Sequence, residues 1–232
     1  MYWLGSTLAR NDAPKFVVVP HSQHGVDYTY EPRTMQIEFV GQNFRNLMRS
    51  LQVKHKFHME ESEMDEYVQR ELNELIESLK KDCEPCVNAN EVLAKLQKQG
   101  RYGMSIVSSS ALPRVLASIK RAGQASFFDE DKIFSAATSM PMPSSKPDPA
   151  IYLFACEKLG VKPEECLAIE DSRSGATSAM RAGINLLGYT GASHDKEEAD
   201  ATAKILTYDC KALDVMTDWK DFPAILEKIE KM

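Results

Sequence analysis

The sequence predicts an α/β fold: a doubly wound, Rossmann-like parallel sheet carrying a small α-helical cap. Three observations lead there. Along residues 83–232, apolar runs short enough for buried strands alternate with amphipathic helical stretches, the pattern of a parallel sheet covered on both faces. Two of those runs stop abruptly on polar residues, one at Ser108 and one at Glu170-Asp171, and open α/β sheets collect ligands at the carboxyl ends of their strands. Ahead of them, residues 37–82 carry helical periodicity alone, as two segments able to pack into a hairpin.

Composition narrows the class. A chain of 232 residues can bury a sizeable interior as one large domain or as a core with a smaller one. A formal charge of −6 argues against non-specific nucleic-acid binding, which relies on basic surface. No apolar run approaches the length of a membrane span, and Met1-Tyr2-Trp3-Leu4-Gly5 is too short and too weakly apolar for a secretory signal. Five cysteines without regular spacing suit a reducing cytosol better than a disulfide framework. The expectation is a cytoplasmic monomer with neither nucleic-acid nor membrane partners.

Residues 1–36 form an atypical amino-terminal segment whose one clear strand candidate is Phe16–Val19, closed by Pro20 and His21. From Met35 to Leu51, Ile37, Val40, Phe44, Leu47, Met48 and Leu51 fall at helical spacing, interrupted by Gly41-Gln42-Asn43. Ser62 with Asp65 three residues on suggests a capping box, followed by a helix whose apolar face runs from Met64 to Leu79. Cys83 and Cys86 have redox-motif spacing, but no surrounding βαβ unit or second pair supports it, so they read as a hinge. Asn88 and Glu91 suggest a second capping box, opening a helix that Gly100 closes.

Tyr102–Val107 then reads as a strand, Leu112–Arg121 as a helix closed at Gly123, and Lys132–Ser135 as a short strand. A Pro- and Ser-rich loop delivers Lys146. Asp148 can cap the next helix and Pro149 suits its first position, with Ile151, Phe154 and Ala155 on its buried side. The strand ending in Glu170-Asp171 precedes a helix from Ser174 to Ala182, rich in small residues. Ile184–Gly188 gives a further strand, Ala203–Tyr208 an edge strand, and Asp218 starts a last amphipathic helix.

The chemistry sits at the strand ends. Ser108 can donate its hydroxyl to a phosphate oxygen while the backbone N–H groups of the following turn add donors. Two adjacent carboxylates can seat a hard cation such as Mg²⁺, and a lysine fixed beside a metal is suited to holding phosphate. In this order and on these elements, Ser108, Lys146-Pro147-Asp148-Pro149 and Glu170-Asp171 resemble the second, third and fourth motifs of the haloacid dehalogenase (HAD) superfamily, in its phosphatase and β-phosphoglucomutase-like branch.

The resemblance spans roughly residues 37–190. It implies a HAD core at 83–232, a helical cap at 37–82, and Mg²⁺-dependent hydrolysis of small phosphorylated metabolites through an aspartyl-phosphate. It also implies that Lys146 and Ser108 stabilise charge on the phosphate, that Ser109 contributes its N–H, and that Asp171 contacts the metal with Glu170 in support. Gln42, Asn43 and Arg45 would turn toward substrate from the cap, although the same residues suit a solvated helix face kinked at Gly41. The first motif of that family, a strand ending in Asp-x-Asp whose first Asp attacks phosphorus, is missing: Pro20 and His21 stand where it is expected, and Asp12 and Asp27 lie outside that spacing. A genuinely different amino terminus and an alteration of the gene model or splicing both fit this absence. Three functional classes follow: a phosphatase whose attacking acid comes from elsewhere, a degenerate domain that retains phosphate affinity, and an interaction module.

Overall fold

Six parallel strands form the main sheet of the computed structural model, which describes residues 2–5, 9–10, 44–142, 144–193 and 195–232. They are β1 (Tyr2–Gly5), β4 (Gly103–Ser108), β5 (Ile133–Ser135), β6 (Cys166–Glu170), β7 (Asn185–Tyr189) and β8 (Asp214–Met216), in the order β5-β4-β1-β6-β7-β8. Two short strands, β2 (Ala9–Arg10) and β3 (Glu84–Pro85), pair antiparallel beside it. The chain divides into two compact units, one of Asn11–Asp82 and one combining Met1–Arg10 with Cys83–Met232. The expected strand at Phe16–Val19 lies outside the described residues. The centre of the sheet is taken by Tyr2–Gly5, with Gly5 level with Ile106 on one side and Ile169 on the other.

Strand alternation explains why this sheet is wound on both faces. Ile106, Leu167 and Ile169 point into one apolar cluster, with residues of α3 (Ala89–Gln99), α4 (Leu112–Arg121) and α8 (Phe222–Ile229). Their strand neighbours Val107, Cys166 and Ala168 point into a second cluster, with α5 (Ala150–Leu159) and α6 (Arg173–Arg181). Side chains on a strand alternate faces, so a continuous apolar run must be covered twice. The sheet reverses direction of growth at β1: β4 and β5 lie to one side, β6 to β8 to the other. Such a switch point opens a crevice at the carboxyl ends of the strands.

The other unit contains α1 (Phe44–His55) and α2 (Glu61–Asp82), joined by a turn in which Lys56 takes a left-handed conformation. Met48, Leu51, Met59 and Met64 are buried between them. No helix among the described residues is long and apolar enough to cross a membrane.

Local corrections to the sequence expectations have identifiable causes. Ser62 is not a cap, because α2 already begins at Glu61, where acidic first-turn residues favour the positive end of the helix; Asp65 instead pairs with Arg45. Asn88 precedes α3 in a left-handed conformation but does not cap it, its amide donating to Asp218 Oδ1 at 2.7 Å. Asp218 caps a single 3-10 turn, Trp219–Asp221, and α8 starts only at Phe222. Ala203–Tyr208 is no strand. Helix α7 (Lys196–Lys204) runs on into a π-helical turn, Ile205–Asp209, whose buried Leu206 packs onto bare backbone at Gly188, where a Cβ would come within 2.9 Å of it. The edge is filled by β8.

Candidate functional site

Lys146 is the side chain around which the strand ends of β4 and β6 are tied together. Its ammonium donates to the Val107 carbonyl at 2.9 Å and to Glu170 Oε1, and lies 3.4 Å from the Tyr152 hydroxyl. The side chain is 5% exposed and its carboxylate partner 1%. The ammonium also sits 4.7 Å from the centroid of the Tyr152 ring, within reach of a cation–π attraction.

Each neighbour is placed by its element. Val107 and Ser108 are the last residues of β4. The turn beyond is braced by Ser110 N–H donating to Ser108 Oγ at 3.1 Å and by Ser135 Oγ donating to the Ser110 carbonyl at 2.8 Å. Ser109 Oγ accepts the Lys146 backbone N–H at 3.2 Å, which ties the lysine loop to the serine turn. Downstream, the Lys146–Pro147 peptide is cis, Arg181 donates to the Pro147 carbonyl at 3.2 Å, and Ser178 Oγ donates to the Asp148 carbonyl at 2.7 Å. Asp148 Oδ1 accepts from Ala150 N–H at 2.9 Å, but the capping position of α5 falls on Pro149, so each of the two stands one residue earlier relative to the helix than expected.

Glu170 closes β6 with its side chain on the α5–α6 side of the sheet. Tyr152, one turn into α5 and fully buried, donates its hydroxyl to the same Oε1 that Lys146 engages. Burial first, and then the charge and hydrogen bond of Glu170, hold the Tyr152 phenol well above its ordinary range, so it is a donor at any ordinary pH. On the far side Glu170 lies against the first turn of α6, where Ser172 caps the helix by accepting Gly175 N–H at 3.2 Å. A Cβ at Gly175 would overlap the Glu170 carboxyl group. Only glycine lets this helix start come so close.

The structure therefore brings together Ser108, Ser109, Lys146 and Glu170, with Asp171 the next residue on the chain, half-buried. Asp171 is near enough to Tyr152 for its charge to contribute to raising that phenol. Arg45 belongs to the other unit, where its guanidinium is engaged by Glu61 at 3.1 Å and by Asp65. Gln42 and Asn43 lie outside the described residues. Tyr152 and Gly175 were not singled out from the sequence. The one available signal was the polar-tipped aromatic six residues after Lys146, where the expected buried face was Ile151, Phe154 and Ala155; Tyr152 and Cys156 are buried and Phe154 only partly.

A hard cation has limited support here. Mg²⁺ commonly binds through one or two carboxylates, waters and the phosphate of its ligand rather than an all-protein cage. Glu170 Oε1 is already engaged by Lys146 and Tyr152. Among the described residues, no three or more His, Cys, Asp or Glu side chains cluster to hold a metal. Asp171 fits an ion shared with a phosphate, not one held by protein alone. The spacing Asp129-x-Asp131 does occur, but ahead of β5, at the opposite end of the parallel strands.

Comparison with known proteins fits this geometry. A "CBBY-like protein" of Arabidopsis thaliana is 45% identical over 73 residues, 30% of this chain and 21% of that protein. The validoxylamine A 7'-phosphate phosphatase of Streptomyces hygroscopicus subsp. limoneus is 34% identical over 122 residues, 51% of this chain and 54% of the enzyme. The matched stretch thus spans about a fifth and about half of these two curated relatives. Among solved structures, a predicted phosphoglycolate phosphatase from Haemophilus somnus superposes with a TM-score of 0.73 over 97% of both chains at 18% identity, a likeness of fold alone. The haloacid dehalogenase-like hydrolase family model matches residues 18–189, three-quarters of the sequence, and with the parallel core and the tied strand ends in place the chain belongs to that family.

Proposed function

We propose that this chain holds the phosphate of a small phosphorylated metabolite at the carboxyl ends of β4 and β6, and that the sequence as it stands lacks the carboxylate that would attack phosphorus. The observation that carries this is the buried Lys146 ammonium, tethered between Val107 and Glu170 beside the Ser108–Ser110 turn. A positive charge fixed in a low-dielectric setting next to hydroxyl and backbone donors is suited to a phosphate's equatorial oxygens. Ser108 and Ser109 would supply those donors. Asp171 would hold Mg²⁺ jointly with the phosphate, where the ion would offset part of the ligand's negative charge.

The missing half rests on the sequence around β1. Tyr2–Gly5 occupies the centre of the sheet, and Ser6-Thr7-Leu8 follows it; Pro20-His21 follows Phe16–Val19. Neither stretch offers Asp-x-Asp. A second reading, turnover as a phosphatase, is favoured by the relatives' names, which include phosphatases of phosphorylated small molecules.

One pair of measurements separates the two. Inorganic phosphate or orthovanadate should raise the thermal midpoint of this chain and leave that of Lys146→Ala unmoved. Hydrolysis of a panel of phosphate esters, with and without Mg²⁺, should stay at background. Turnover abolished by Lys146→Ala or Asp171→Ala would establish the second reading, and protection that survives in Lys146→Ala would sink the first.

A further inference from the structure

Three acceptors surround the Lys146 ammonium: the Val107 carbonyl at 2.9 Å, Glu170 Oε1, and the Tyr152 hydroxyl at 3.4 Å. An ammonium has three N–H donors. In the state observed, then, the group assigned to phosphate has its donors directed at protein, and an arriving anion must take one over. Giving up the Glu170 contact would strip a carboxylate that is 1% exposed of its counter-charge, a costly change in a buried setting. The Tyr152 contact is the cheap one, since 3.4 Å lies beyond good hydrogen-bond length for N–H···O.

Tyr152 can accept that loss because of what its proton does. The phenol, fully buried on α5, donates to Glu170 Oε1. This charge-assisted bond persists when Lys146 turns away from the tyrosine oxygen, and it lowers the carboxylate's demand on the lysine. We propose that Tyr152 is a positioning residue of the phosphate site: by keeping Glu170 compensated, it frees one Lys146 donor for a phosphate oxygen. The proposal rests on the phosphate-binding reading of this site and deepens it. Removing the hydroxyl has two opposed effects. It deletes a weak competitor for the lysine, which would tighten phosphate, and it leaves Glu170 drawing harder on the lysine, which would weaken it. A hydrogen bond to a charged, buried carboxylate outweighs a 3.4 Å contact, so the net expectation is weaker binding.

The test is calorimetric titration of the full chain with inorganic phosphate, applied to the native sequence, Tyr152→Phe, Glu170→Gln, the double variant and Lys146→Ala. Tyr152→Phe should weaken phosphate by about tenfold. In the Glu170→Gln background, where no buried carboxylate needs a counter-charge, the same change should matter by less than about twofold. An equal loss in both backgrounds would mean that the tyrosine acts through packing and would overturn the proposal. So would native affinity in Tyr152→Phe together with lost binding in Lys146→Ala, a result that leaves the phosphate reading standing. Native affinity in Lys146→Ala, or no binding by the unaltered chain, would take down the phosphate reading and this inference with it. Should Tyr152→Phe fail to fold, biosynthetic replacement of tyrosine by 3-fluorotyrosine serves instead. Fluorine makes the phenol a stronger donor and a poorer acceptor, so phosphate should bind tighter, and unchanged or weaker binding would refute the proposal.

Discussion

The molecule uses the same pairing, a cation against a carboxylate, in two regions under opposite conditions. In the helical hairpin, Arg45 meets Glu61 and Asp65 with 31%, 69% and 67% of the side chains exposed. In the core, Lys146 meets Glu170 with 5% and 1% exposed. Water screens the first set, and exposed pairs of this kind are worth little. The second has given up nearly all hydration, which attraction alone does not reliably repay. A pair of that kind is weak support for stability as its purpose, whereas a site that must present a fixed ammonium has reason to keep it.

Breaking the buried pair from one side should produce the largest effect. Glu170→Ala, which strands the ammonium, should cost about 3–5 kcal/mol in urea unfolding. A loss below about 1 kcal/mol would mean the core pair is solvated like those of the hairpin. Gly175→Ala should come next. Alanine favours a helix by about 1 kcal/mol over glycine, but the added methyl overlaps Glu170, and overpacking of about 1–3 kcal/mol should make the variant less stable overall. A stabilised Gly175→Ala would show that the carboxyl group does not lodge against α6.

Removing both charges sharpens the contrast. Lys146→Met with Glu170→Leu should lie within about 1.5 kcal/mol of the native stability, or exceed it, while phosphate protection against heating disappears. Retained protection in that double variant would detach phosphate from the lysine. The smallest effect belongs to the hairpin: Arg45→Ala should leave the urea midpoint close to that of the native chain, with the difference shrinking further in high salt. A larger, salt-insensitive loss would mean that the arginine supports more than a solvated ion pair.

Sequence alone carried the fold where periodicity and strand-end residues agree. The parallel core, the alternation between its two faces, and the approach of Ser108, Lys146 and Glu170 were legible because apolar runs ended on polar groups in a recognisable order. What escaped was set by tertiary contacts. Glu170 reads as a metal ligand beside Asp171, yet its partners come from residues 24 and 18 positions away, Lys146 and Tyr152. Ser62 and Asn88 have capping residue types, but a neighbouring acidic turn and Asp218 decide what they do. The stretch Ala203–Tyr208 has strand-like composition, yet it is helical, with Leu206 lodged against the bare backbone of Gly188. Tyr2–Gly5 is too short to read as a strand from its own residues, and it takes the centre of the sheet because partners hold it on both sides.

The contact between α5 and β6 repeats itself one layer deeper. Four residues beyond Tyr152 and four before Glu170 stand Cys156 and Cys166, whose sulfurs are 3.9 Å apart and buried. Reagents that alkylate thiols can reach them only when helix and strand breathe apart, so labelling kinetics would time the openings of this seam. The chain thus contains a clock for the fluctuations beneath its own lysine, with no engineered thiol needed to read it.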